Sequence, residues 1–209
     1  MIKHLCEQRS EAWHELRIGC VTGTAIADLM SKKDTLGYKK LINRIAAELI
    51  TNSEADEETY TNEAMQRGID LEPEARKEYE RLFDCEVEQV GFITPDEETE
   101  FAEWLGISPD GLIENGVVEF KCPERNTHIE YIKANKLPSK YKWQVQGGLL
   151  VSGGQFCDFM SFYPQMKSFI IRVLPDLEMH EKIKVELRKA IKLVNETIDN
   201  YNKYDYLTK

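Results

Sequence analysis

No two cysteines of this 209-residue chain form a C-x-x-C pair, and its five (Cys6, Cys20, Cys85, Cys122 and Cys157) are odd in number and widely scattered. That speaks against a disulfide framework and against a structural zinc or iron–sulfur site, and for reduced thiols in a cytosol. No run approaches the ~20 apolar residues of a membrane-spanning helix, and residues 1–8 lack the apolar segment of a signal peptide. Internal repeats, low-complexity tracts and Pro/Gly-rich linkers are also missing, so one domain over residues 1–209 is expected. Basic charge is in short supply: 27 Lys and Arg face 37 Asp and Glu, for a net charge of −10. A nucleic-acid partner ordinarily selects the opposite balance.

The distribution of charge softens that objection. Acids concentrate in Glu54–Glu58 and Asp96–Glu100, whereas residues 121–142 hold six Lys or Arg against two acids, a local balance of +4. An acidic shell around a basic channel suits DNA, and an ordinary acidic enzyme has the same composition. With 42% hydrophobic and 31% charged residues, the chain is a soluble globular protein long enough to build a core.

Periodicity orders the chain. Ser10 caps a short helix through Arg17, and Thr22 caps a second through about Met30. Leu41, Ile42, Ile45, Ala46, Leu49 and Ile50 fall at helical spacing over residues 38–50, followed by an acidic loop over 51–61. A helix is expected over 63–83, with Pro73 as its weak point unless the helix begins there. The period then changes. Strands are expected over 87–93 and 116–121, a helix over 141–151 despite Gly147-Gly148, and a strand pair over 157–163 and 168–174. An amphipathic helix over 179–201 closes the chain. Helices first, strands in the middle and a closing helix give an α/β (α+β) fold, a central mixed sheet flanked by helices.

The chemistry concentrates in residues 108–123, Ser-Pro-Asp-Gly-Leu-Ile-Glu-Asn-Gly-Val-Val-Glu-Phe-Lys-Cys-Pro. On an extended strand Glu119 and Lys121 share one face while Val118 and Phe120 take the other, and the turn holding Asp110 can bring its carboxylate alongside. Two hard oxygen donors beside an ammonium suit Mg²⁺-assisted attack on phosphorus, and the Phe120 carbonyl between the two side chains is a third ligand candidate. The bland alternatives are a plain Pro-Asp-Gly turn and a solvated cross-strand ion pair; it is the joint pattern that favours a nuclease.

Three further stretches are compatible with that chemistry. Residues 13–24 run from Trp13 through Arg17 and Gly19 to Thr22 and Thr24, a loop offering hydroxyls, amides and a guanidinium to a phosphate; the alternative is an ordinary capped helix with a surface arginine. Glu72 is a helical carboxylate able to face a metal, or simply a solvated one. Gln144 and Gln146 flank Val145 on an otherwise apolar helix, and buried amides need partners.

Taken in order, these stretches resemble the lambda exonuclease family, phage-type recombination exonucleases of the restriction-endonuclease-like superfamily. Trp13, Leu16-Arg17, Gly19 and Thr22 are similar to its N-terminal pattern. Gly68 with Glu72 matches its Gly and Glu four residues apart, residues 108–111 and 119–123 its turn and strand, and residues 144–146 its Gln-Val-Gln helix. The resemblance covers about residues 10–175. It implies a restriction-endonuclease-like core, and Asp110 and Glu119 as ligands of Mg²⁺ (one or two ions, with Mn²⁺ as a substitute). It also implies Lys121 as the catalytic lysine, Glu72 as an added carboxylate, Gln144 supporting the lysine and Arg17 holding a 5′-phosphate. Thr24 stands where the family uses a serine hydroxyl, and Lys133, Lys136, Lys140 and Lys142 would face the DNA backbone.

The resemblance further implies 5′→3′ digestion of double-stranded DNA from 5′-phosphorylated ends, giving 5′-mononucleotides and 3′ single-stranded tails. A homotrimeric ring, a single-strand annealing protein as partner, and a phage- or prophage-encoded enzyme in a bacterial cytoplasm belong to the same expectation. The rivals are a structure- or sequence-specific endonuclease on the same fold and a non-cleaving DNA-binding module. A Cas4-like or helicase-associated nuclease lacks support, because its iron–sulfur cysteine spacing is missing.

Overall fold

The computed structural model describes residues 1–54 and 63–205. A four-stranded sheet organises it, built from β3 (Gly111–Ile113), β4 (Gly116–Lys121), β5 (Phe156–Ser161) and β6 (Phe169–Val173) in that order. The sheet is mixed: β3–β4 and β5–β6 are antiparallel, while β4 and β5 run parallel. A parallel pair needs a long crossover, supplied by α5 (Arg125–Ala134), a 3-10 turn at Ser139–Tyr141 and α6 (Lys142–Ser152). The remaining elements are β1 (Ile2–His4), paired antiparallel with β2 (Phe92–Thr94), and helices α1 (Glu11–Glu15), α2 (Ala25–Leu29), α3 (Leu36–Thr51), α4 (Glu63–Phe83) and α7 (Leu177–Asn202).

Alternation along β4 and β5 divides the core in two. Val117, Cys157 and Phe159 join the cluster formed with α2, α3, α6 and α7. Val118, Phe120 and Met160 point the other way, onto Ala75 and Tyr79 of α4. Glu119 and Lys121 share the parity of Val117, so they lie on the α6 face. Gly147 permits the close approach of α6 to α2, since a Cβ there would come within 2.0 Å of Ile26 Cδ1. Packing outweighs the poor helix propensity of the glycine pair, and α6 forms as expected.

The expected mixed sheet flanked by helices is found, with β4, the β5–β6 pair, α3 and α7 close to their anticipated bounds. Helix α4 spans the expected residues with Pro73 inside it, where the missing N–H leaves the Ile69 carbonyl without its helical donor. Three expectations are corrected. The strand expected over 87–93 is confined to Phe92–Thr94, and upstream only Glu88 bridges Leu112. The helix expected from Thr22 begins at Ala25, although the Thr22 carbonyl already accepts the Ile26 amide. The first helix stops at Glu15, two residues short. Of the acidic loop expected over 51–61, residues 55–61 lie outside the described residues. Among the described residues no helix is long and apolar enough to cross a membrane.

Candidate active site

The hairpin β3–β4 brings the two central carboxylates together. Gly111 pairs with Val118, and continuing that register by one residue puts Asp110 directly opposite Glu119. Opposed residues of an antiparallel ladder project their side chains on the same face. Asp110 is therefore more than a turn residue: its Oδ2 accepts the Phe120 amide at 2.6 Å, extending the ladder with a side chain where β3 begins. The N–H and C=O of one strand residue point to the same edge, so the Phe120 carbonyl is directed along that edge as well.

Glu119 is 8% exposed, which removes the solvated ion-pair alternative. Its Oε1 contacts the Lys121 ammonium and also accepts from Gln144 Nε2, reaching across from α6. The Gln144 amide thus supports the lysine through their shared carboxylate oxygen. Burial pushes the Asp110 carboxyl well above the usual range, and the facing Glu119 pushes it further, against the opposing pull of Lys121 and the Phe120 amide. Burial alone would lower the Lys121 ammonium, but Glu119 and then Asp110 outweigh it and hold it above its ordinary value. The ring of Tyr141 lies 5.3 Å from Nζ.

The site opens into a cleft of about 650 Å³ lined by Asp110, Lys121, Glu72, Thr24, Lys140 and Tyr141, with Arg9, Arg67 and Thr127 among its other walls. A second cleft of about 560 Å³ adjoins it, and Arg9, Ile69, Glu72 and Asp110 border both. Glu72 lies close enough to raise the Asp110 carboxyl, while its Oε1 accepts from Arg76 at 3.2 Å. A buried Glu119 opposed by a half-buried Asp110 that lines an open cleft forms the donor set that a hard divalent cation takes. Among the described residues no group of three or more His, Cys, Asp and Glu is arranged to hold a metal. Mg²⁺ requires less, since one or two carboxylates with water and substrate oxygens complete its octahedron.

The remaining expected residues divide. Thr24 is exposed on the cleft wall, and its side chain makes no capping hydrogen bond to α2. Thr22 is 6% exposed and does not line the cleft. Arg17 stacks at 3.8 Å on Trp13 and approaches Glu54 at 4.0 Å. The Trp13 indole in turn donates to Ser108 Oγ at 2.8 Å and to the Gly91 carbonyl at 3.1 Å, tying the arginine's platform to the turn that carries Asp110. Of the four lysines, Lys140 lines the cleft; Lys133, Lys136 and Lys142 are exposed outside its wall. Gln146 is structural: it binds the Leu174 carbonyl, the Asp176 amide and His180 at the start of α7. Arg9, Arg67 and Tyr141 escaped the sequence reading because they reach the cleft from separate elements with no motif of their own.

A family model described as the YqaJ-like viral recombinase domain matches residues 12–155. Two crystal structures of the alkaline exonuclease LHK-Exo from Laribacter hongkongensis, one in complex with dAMP, are similar over 93% of this chain and 97% of theirs. They share 31% and, for the dAMP complex, 30% identity, each with a TM-score of 0.81. A phage-related exonuclease from Haemophilus somnus 129PT has the same fold, with a TM-score of 0.63 at 17% identity over 87% of this chain and 96% of its own. A search of curated proteins finds no match. The expected likeness to lambda-type exonucleases and the restriction-endonuclease-like core both stand on these matches. By its motifs, by the extent of the family match and by the fold it shares with LHK-Exo, the chain belongs to the YqaJ-like viral recombinase family.

Proposed function

We propose that this protein is a Mg²⁺-dependent 5′→3′ exonuclease on double-stranded DNA that releases 5′-mononucleotides and leaves 3′ single-stranded tails for annealing. The observation that carries the proposal is the opposition of Asp110 and Glu119 with Lys121 beside them on the same face, at a cleft of about 650 Å³ that Asp110 and Lys121 line. Asp110, Glu119 and the Phe120 carbonyl would hold Mg²⁺, with Glu72 beside them. The ion's contribution is Lewis acidity toward a phosphoryl oxygen and easier ionisation of water. Lys121, held protonated by its carboxylate neighbours, stabilises the charge that builds on phosphorus. Gln144 keeps the Glu119 carboxylate turned toward the site. Arg17 and the Thr24 hydroxyl bind the terminal 5′-phosphate, and Lys140 meets the backbone. The dAMP bound by the similar LHK-Exo is a mononucleotide of the kind this reaction releases.

The reading extends, on the family resemblance, to a homotrimeric ring, a single-strand annealing partner and a phage or prophage origin in a bacterial cytoplasm. One comparison tests the catalytic part: linear against covalently closed duplex, with and without Mg²⁺. Loss of linear DNA alone, and only with the metal, is expected. Nicking of the circle would make the protein an endonuclease, and loss of neither would make it a binding module.

A further inference from the structure

The buried residues of α3 are apolar or aromatic along the stripe from Tyr38 to Ala46, with Glu48 the exception at 1% exposure. Each of its carboxylate oxygens is engaged. Oε1 accepts from Arg44 Nη1 at 2.7 Å, and Oε2 accepts the Gly19 amide at 2.9 Å. Arg44 uses its other terminal nitrogen on the Cys20 carbonyl at 3.0 Å. The ion pair therefore grips two consecutive backbone units, residues 19 and 20, midway between Arg17 and Thr24. Gly19 is shaped for the grip. Its φ of +76° suits glycine, and a Cβ there would come within 2.6 Å of Leu49 Cδ2.

The next residue is held from the opposite side. The Val21 amide donates to the Trp104 carbonyl at 2.8 Å, and the Val21 carbonyl accepts from Gly106 at 3.2 Å. That strap leads through Ile107 to Ser108 and Asp110. The loop carrying Arg17 and Thr24 is thus pinned between α3 and the segment that delivers the turn carboxylate. Buried ion pairs add little stability over apolar side chains of similar volume, so stability alone is a poor reason for an acid here. What this pair provides is a fixed position for one loop.

We propose that Glu48 and Arg44 are positioning residues that set the spacing between Arg17 and Thr24, and through it the preference for 5′-phosphorylated ends. Neither would touch the DNA; both act through the backbone of residues 19 and 20. The inference rests on the reading of Arg17 and Thr24 as the end-phosphate site. Cys20, in the same loop, is no competing nucleophile, since burial and then Glu48 push its thiol up to about 11.

The test is the ratio of initial rates on duplexes with 5′-phosphoryl and 5′-hydroxyl ends, measured on the full chain with Mg²⁺. Glu48→Ala should lower this ratio by roughly 10- to 100-fold, the scale on which misplaced binding groups cost rate. The loss should lie in KM for phosphorylated ends, with kcat on hydroxyl ends unchanged. Glu48→Gln keeps an acceptor for the Gly19 amide and should recover most of the ratio. If Glu48→Ala does not fold, Arg44→Lys decides, because it keeps the charge but loses the second grip on Cys20. A wild-type ratio in the folded variant overturns the clamp. Arg17→Ala is the reference: if it leaves the ratio unchanged, the end-phosphate reading falls and the clamp with it. If Arg17→Ala lowers the ratio while the Glu48 and Arg44 variants do not, the clamp alone is overturned.

Discussion

Asp110 and Glu119 face each other across the first ladder of the sheet, and Asp110 also receives the Phe120 amide at 2.6 Å. A backbone hydrogen bond thus orients one carboxylate while a glutamine and a lysine orient the other.

That opposition has a cost in the metal-free protein. Burial, and then Glu119, raise the Asp110 carboxyl well above its ordinary 3.8. The folded form therefore holds this proton more tightly than the unfolded form, and the group's contribution to stability falls as pH rises through and above 3.8 toward the raised value. Asp110→Asn removes the penalty and keeps an acceptor for the Phe120 amide. It should raise the Tm of chelator-treated protein at neutral pH, by a margin that narrows in acid, while abolishing cleavage. Identical melting of the two proteins at pH 5 and pH 8 would count against the carboxylate repulsion.

Lys121→Ala should lower the cleavage rate by roughly 10²–10³-fold, the usual loss when a charge-stabilising donor is removed, and leave duplex binding intact. Single-turnover cleavage alongside a gel-shift titration separates the two. Near-normal turnover would take the lysine out of the mechanism.

The two glutamines of α6 should part company. Gln144→Leu removes the donor to Glu119 and should cost roughly 10-fold in activity, as loss of a ligand's supporting contact does, with little change in Tm. Gln146→Leu strands the Leu174 carbonyl and the Asp176 amide and should cost about 1–3 kcal/mol of stability, with turnover per folded molecule preserved. Denaturant titration with matched rate measurements checks both, and the opposite assignment of effects would reverse the roles given to the two residues.

On the far side of the sheet, the Tyr79 hydroxyl donates to the buried Asp158 at 2.6 Å, and Arg172 holds the same carboxylate with two nitrogens. Tyr79→Phe should destabilise by about 1.5–3 kcal/mol, the range for a hydrogen bond to a charged group, and leave end preference and turnover alone. A change in end preference would mean that the two faces are coupled.

The site was legible where its residues are close in sequence. Asp110, Glu119 and Lys121 lie within one hairpin, so strand parity alone told which side chains meet. Glu48 carried no signal in the sequence, because the Gly19 amide it accepts lies 29 residues away and the Cys20 carbonyl held by its partner Arg44 lies 24 residues from that arginine, and no periodicity encodes either contact. In the fold, β4 and α7 carry strong patterns and were legible. The three-residue strands β1 and β3 exist through their partners and were not. Helix α5 escaped because its buried side chains are His128 and Tyr131 while Ile129 and Ile132 are outside, the reverse of the pattern that signals a core-facing helix. Helix α4 was legible across Pro73, which it absorbs at the cost of one hydrogen bond.

The turn between β3 and β4 is only two residues long, Glu114 and Asn115, with Asn115 in the left-handed region at φ +61°. Because successive strand residues alternate faces, a single residue inserted or deleted there would shift Glu119 and Lys121 one step against Asp110 or turn them onto Tyr79. The sheet could repair its pairing by slipping, and its hydrophobic residues would still find cover on either side. The trio of Asp110, Glu119 and Lys121 has no such freedom, so the length of this turn works as a reading frame for their meeting.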